Sequence, residues 1–393
     1  MNRYLSEAQE MSGKLVEVRR TVHGYAELGF ELPRTKALVK EKLKELGIEP
    51  SDCGKAGVTA TIGSGGKTVL LRGDMDALPM KEESGLPFAS TTGSCHSCGH
   101  DMHTTMLLGA AALLKKHESE LKGTVKLMFQ PAEEVLAGAE DMISAGIMEN
   151  PKVDAAIGMH VIAGPKPKSD VGRISYKKGY YTVSGDFVRV TCIGLAAHGS
   201  TPEAGVDAIN IAAHTVLALN EILSREVSCQ EKGSVVLVGK IEGGASCNTE
   251  AGSCTLEVSV RAASEERREF LKNRVKEISE NVAAAFRGKA KVEFVYGIGA
   301  AYNNPELCEA VAASASKVVG EDMVSETFDN VGTEDFAAVT KLVPSVYIQI
   351  GAGSAAGENI TQHNPKIIFD EKILPIGAAV YAQAAEDYLN GNS

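Results

Sequence analysis

Residues 68–76 read Thr68-Val69-Leu70-Leu71-Arg72-Gly73-Asp74-Met75-Asp76. A short apolar run, the pattern of a strand buried on both faces, ends abruptly in charge. The same event recurs along the chain. Val125–Phe129 leads into Pro131-Ala132-Glu133-Glu134, Ala155–Met159 into His160, and Ser345–Ile350 into a glycine-rich loop ending at Gln362-His363. In open α/β sheets, ligands bind outside the carboxyl ends of the strands. Clusters far apart in sequence are therefore expected at one sheet edge. Val58–Ile62 reads as a further strand. Helical periodicity predicts helices over residues 5–22, 33–47, 104–116, 137–147, 305–319 and 333–339, and a long one ending at Leu389. Cys98-Gly99-His100-Asp101-Met102-His103 reads as a loop just before the 104–116 helix.

The middle of the chain changes character. Strands are predicted at Tyr181–Ile193, Ser234–Ile241, Thr255–Val260 and Ala290–Tyr296, with helices at Gly205–Leu223 and Ser264–Ala283. That order, β-α-β-β-α-β, is ferredoxin-like. The fold class expected is α/β: a mixed sheet covered by helices on both faces (1–180 and 297–393), with an inserted ferredoxin-like α+β domain (181–296).

Composition sets the bounds. A chain of 393 residues with 44% hydrophobic and 23% charged side chains can bury a large core. Disorder, collagen-like repeats and small disulfide scaffolds are excluded. The net charge of -11 argues against a nucleic-acid or anionic-membrane partner, because both need a basic footprint. No run of apolar residues is long enough for a membrane span, and the amino terminus lacks signal-peptide features, so a cytoplasmic location with reduced thiols is expected. Cys95 and Cys98 form a C-x-x-C, which alone can be a zinc half-site, a redox pair or chance. Cys53, Cys192, Cys229, Cys254 and Cys308 read as small apolar thiols, and His117 and His214 as surface or hydrogen-bonded histidines. Cysteine, histidine, aspartate and histidine within six residues are harder to assign to packing. Thiolate, imidazole and carboxylate together suit a transition metal.

The motifs together resemble the M20 metallopeptidase-type amidohydrolases, in the branch holding auxin-conjugate hydrolases, hippurate hydrolases, aminobenzoyl-glutamate hydrolase and N-acetyl-diaminopimelate deacetylase. The resemblance runs from His23–Phe30 through Arg72–Pro79, Cys98–His103, Gln130–Glu134, Gly158–His160 and Ala197–Ser200 to His363. It implies a site for two divalent transition-metal ions (Mn, Zn, Co or Ni), with Cys98, His100, Glu134, His160 and His363 on the ligand positions and Cys98 bridging. It places Glu133 on the general base and Asp76 on the acid that orients a ligand. Adjacent residues of an extended segment point to opposite sides, so Glu133 and Glu134 can hold different roles. A ligating thiolate implies metal affinity that falls with acid. The inserted domain matches a lid and dimerisation domain, with His198 on the oxyanion-holding position and Asn248 and Arg261 on substrate contacts. The implied activity is metal-dependent hydrolysis of N-acyl or N-aroyl amino acids by a homodimer.

The sequence departs from the family pattern at Ala26, at Ala245–Ala251 and at Glu358–Gln362. None of these is a ligand position; all bear on specificity. Two alternatives stay open: a thiol hydrolase using Cys98, and an inactive ligand-binding paralogue. Cys95, Asp101 and His103 carry no assigned role.

Overall fold

The computed structural model describes residues 2–228, 233–327 and 332–391. Two compact units emerge: Met1–Gly179, Tyr302–Asp329 and Asp335–Ser393 form one, and Tyr180–Ala301 with Asn330–Glu334 the other.

The first unit is built on an eight-stranded mixed sheet. Its strands are β1 (Ser51–Cys53), β2 (Gly57–Gly63), β3 (Lys67–Asp74), β4 (Gly123–Gln130), β5 (Ala155–Ile162), β6 (Ile174–Tyr176), β7 (Val324–Glu326) and β8 (Ser345–Gly351), in the order β1-β2-β4-β3-β5-β8-β6-β7. The central strands β4, β3, β5 and β8 are mutually parallel. Every residue of β4 and β8 is buried, so layers cover both faces. Parallel register aligns the strand ends. Asp74 lies opposite Gln130, Arg72 opposite Gly158, and His160 opposite Gln349, so the carboxyl ends of all four strands reach one edge.

Helix His100–Lys116 is buried along nearly its whole length and packs on β3 and on the carboxyl-terminal helix Ile373–Asn390. It begins four residues earlier than its apolar pattern indicates. Only Cys98 and Gly99 of the expected loop are loop; His100 to His103 form the first helical turn. The predicted 5–22 helix is two helices, Arg3–Glu10 and Ser12–Gly24, interrupted at Met11. The adjoining Ser12-Gly13 pair is a common site for such breaks. The predicted 333–339 helix shrinks to one turn, Ala337–Thr340. Asp335 is committed elsewhere: its carboxylate accepts from Gln130 Nε2 and Ala139 N. His160 lies within β5 rather than after it.

The second unit has a four-stranded antiparallel sheet ordered Val235–Gly243, Ser253–Arg261, Gly185–Ile193, Lys289–Ile298. Helices Ala208–Glu221 and Glu265–Ala285 pack on each other and against it, which completes the ferredoxin-like arrangement. Both helices start on side-chain caps, Asp207 and Ser264. Cys192 and Cys254 face each other across its sheet as buried thiols. Cys53 and Cys308 are buried too, and Cys229 lies outside the described residues. Among the described residues, no helix is long and apolar enough to cross a membrane.

Candidate metal centre

Gly99 fixes the geometry of the Cys98 loop. Its φ is 94°, and an added Cβ would come within 2.3 Å of Val161 Cγ2. Only glycine fits this left-handed, crowded position. The turn it makes sets Cys98 beside β5 and starts a helix on His100. His160 arrives from β5, Glu133 and Glu134 from the segment after β4, and His363 from the loop after β8, where its backbone N–H donates to Ser97 O at 3.1 Å.

These side chains converge as three overlapping groups, two of them through Cys98 and the third made of His100, Glu133 and Glu134. Donor atoms of Cys98, His100 and His160 lie within 4.8 Å of one another, and so do those of Cys98, Glu134 and His363. Cys98 belongs to both. Its Sγ is 3.3 Å from His160 Nε2; His363 Nε2 is 3.5 Å from Glu134 Oε2; His100 Nε2 is 3.8 Å from Glu134 Oε1. Both ring nitrogens of His100 and Oε1 of Glu134 are buried with no hydrogen-bond partner. Leaving such groups unpaired costs roughly 1–3 kcal/mol each, a penalty that ligation of a cation removes. His160 has its pKa well below the usual range through burial and the nearby His103, so its ring is the neutral form that binds metals. Thiol, imidazole and carboxylate donors of this kind fit two neighbouring transition-metal ions.

Asp76 organises the acidic pair. Its carboxylate accepts the backbone N–H of Glu133 at 3.0 Å and of Glu134 at 3.2 Å, and its Oδ1 lies 3.5 Å from His100 Nδ1. Ala132, with φ 55°, turns the chain just before them. Glu133 is buried, with Oε2 3.9 Å from His100 Nε2.

Cys95 and Asp101 now have structural tasks. Cys95 exchanges backbone hydrogen bonds with Leu78, tying the Asp74–Pro79 segment to the Cys98 loop; burial pushes its thiol up to about 11. Asp101 Oδ2 accepts from Arg19 Nε at 2.7 Å and meets His23 Nδ1 at 2.8 Å, and His23 Nε2 reaches Glu82 at 3.0 Å. Burial alone would raise the Asp101 carboxyl, but Arg19 and His23 outweigh it and hold it far below the usual range. A depressed carboxyl adds stability at neutral pH that declines as the pH falls below about 4. Breaking a buried pair costs about 3–5 kcal/mol. Arg19 keeps Glu371 at 3.2 Å. Asp101→Asn is therefore expected to cost about 3 kcal/mol in denaturant unfolding at neutral pH, the low end of that range, with little difference from wild type left in strong acid.

Within the second unit, His198 and Asn248 are neighbours: Gly199 N donates to Asn248 O at 2.8 Å, and His198 pairs with Thr249 across a two-stranded ladder. His198 Nδ1 accepts from Ser200 N at 3.2 Å. Arg261 ends the strand Ser253–Arg261, opposite Val235. Cys247 is exposed.

Arg72, Asp74, His103, Gln130 and Asp335, to which the sequence alone assigns no role, form a buried network behind the donors. The i, i+3 spacing of His100 and His103 was the available signal, once both are seen to lie on one helix.

Comparison with known proteins agrees with this architecture. The chain is 35% identical over 383 residues to the N-acetyl-L-cysteine deacetylase of Bacillus subtilis, covering 96% of this chain and 89% of that protein. It is 33% identical over 383 residues to IAA-amino acid hydrolase ILR1-like 4 of Arabidopsis thaliana, covering 95% and 86%. The solved structure of the Bacillus subtilis YXEP protein, described as a dinuclear metal-binding peptidase of family M20, superposes with a TM-score of 0.81 at 28% identity, covering 97% of this chain and 99% of that one. The model of peptidase family M20/M25/M40 matches residues 70–387, and with the full-length relatives this establishes that the chain belongs to that family.

Proposed function

We propose that this protein is a metal-dependent amidohydrolase that cleaves the amide bond of N-acyl or N-aroyl amino acids, with two divalent ions (Mn, Zn, Co or Ni) held by Cys98, His100, Glu134, His160 and His363. The observation that carries the reading is the sharing of Cys98 by two three-residue donor groups, with a second carboxylate, Glu133, beside them. The relatives' names, a deacetylase of N-acetyl-L-cysteine and a hydrolase of IAA-amino acids, support the substrate class. The dinuclear description of the YXEP protein supports the ion count.

When bound, such ions polarise an amide carbonyl and make water more acidic. Glu133 then acts as the base. It takes a proton from the attacking water and returns it to the departing amine nitrogen as the C–N bond breaks. Asp76, by gripping both backbone N–H groups, keeps Glu133 and Glu134 in separate roles. His198 serves the developing oxyanion: with Nδ1 accepting from Ser200 N, the neutral ring carries its proton on Nε2 as a donor. Asn248 and Arg261 contact the substrate, and a guanidinium suits a free carboxylate. The ferredoxin-like unit is read as lid and homodimer surface. Leu28 at 37% and Val135 at 61% exposure, in segments bordering Asp76 and Glu134, favour an apolar acyl group.

The Cys98–His160 contact also raises the thiol-hydrolase reading. Cys98 stands among several donor side chains rather than beside one orienting histidine, which favours the ligand role. The reading is tested by a panel of N-acetyl, longer N-acyl and N-aroyl amino acids assayed on the metal-loaded chain. Turnover of at least one of these is expected. Absence of turnover across the panel would favour the binding-protein alternative.

A further inference from the structure

His103 sits among the donors yet has no lone pair to give. Its ring centroid is 4.6 Å from that of His160 and 5.3 Å from that of His100. Val161 N donates to its Nε2 at 2.8 Å. A backbone N–H can only donate, so Nε2 accepts and the proton of the neutral ring is on Nδ1. That proton is donated to Asp74 Oδ1 at 2.5 Å. Asp74 is anchored in turn: its other oxygen pairs with Arg72 Nη1 at 2.5 Å, and Arg72 also bonds Gln130 Oε1 and Asp335 Oδ1. On the other side, Val161 is held at both backbone groups, its N–H by His103 and its carbonyl by His160 Nδ1 at 2.5 Å. One imidazole thus links the end of β3, the end of β5 and the first turn of the His100 helix.

We infer that the Asp74–His103 pair is a positioning device for the metal centre: it fixes the separation and ring orientation of His100 and His160, and so sets metal affinity, without ligating. The inference rests on the metal-centre reading. Its rival is direct ligation, since Asp74, His100 and His103 also bring donor atoms within 4.8 Å of one another. Ring orientation of metal-binding histidines is commonly held by such partners, and losing one weakens binding about 10- to 100-fold.

The two halves of the device can be removed separately. His103→Asn keeps a donor near the Nδ1 position and loses the acceptor for Val161 N–H; His103→Gln keeps an acceptor near the Nε2 position and loses the donor to Asp74. Cobalt(II) and zinc(II) titrations of the full chain, against a competing chelator, are expected to give two equivalents for wild type and both variants. Affinity should fall about 10- to 100-fold in each variant, with shifted cobalt(II) absorption bands. Loss of one equivalent at saturation would make His103 a ligand and overturn the inference. So would unchanged affinity in both variants beside a wild type that binds two. A wild type that binds none overturns the metal-centre reading itself. Should the variants fail to fold, nitrogen-15 NMR of the zinc-loaded wild-type chain decides. A protonated Nδ1 with a metal-free Nε2 on His103 is expected, and the opposite tautomer or a metal-shifted Nε2 would overturn the inference.

Discussion

Replacing Cys98 with alanine is expected to abolish measurable turnover and to leave a chain that no longer holds two metal ions at once. Cys98 joins His100 and His160 in one donor group and Glu134 and His363 in another, so its loss takes a ligand from each. The remaining pairs, His100 with His160 and Glu134 with His363, are too few to hold transition-metal ions tightly. A fall of at least about 10⁴-fold in kcat/KM is expected if both activation of water and polarisation of the carbonyl need the paired ions. Cys98→Ser is expected to recover little, because an alcohol is a harder and far less acidic ligand than a thiol. Elemental analysis alongside a turnover assay checks this. Two tightly held equivalents in Cys98→Ala would show that the sulfur is not shared.

Glu133→Gln should separate chemistry from metal binding. The substitution keeps size and hydrogen-bonding shape but removes the base. A fall in kcat of about 10²–10⁴-fold is expected, with KM and metal content near wild type. Glu133 and Glu134 each lie within 4 Å of His100 Nε2, so the experiment has a real rival to exclude. Loss of a metal equivalent in Glu133→Gln would make Glu133 a ligand, and retained turnover would remove it from the role of base.

Much of this architecture is legible because it is local. Leu70 and Leu71, Leu127 and Phe129, Ile348 and Ile350 announce buried strands by apolar continuity, and the polar residues that end the runs, Arg72, Asp74 and Glu133 among them, are buried too. The middle segment keeps the alternation of a half-buried sheet, so its β-α-β-β-α-β order reads directly. What eludes sequence depends on partners distant along the chain. Asp335 falls inside a predicted helix and instead serves Gln130 and Ala139, about two hundred positions away. The start of the helix at His100 comes from packing Gly99 against Val161, not from periodicity. His103 resembles a further imidazole ligand until Val161 N–H is seen to occupy its Nε2. Cys95 resembles half of a redox pair until its backbone is found laddered to Leu78.

If hydrolysis depends on ions held by Cys98 and its four partners, removing and restoring the metal must switch activity off and on. The full chain is stripped with a chelator, assayed on an N-acyl amino acid, then titrated with Mn, Zn, Co or Ni. No turnover is expected after stripping, with recovery that saturates near two equivalents of at least one metal. Turnover that survives stripping yet is destroyed by a thiol alkylator would contradict that dependence, and would return Cys98 to the role of nucleophile.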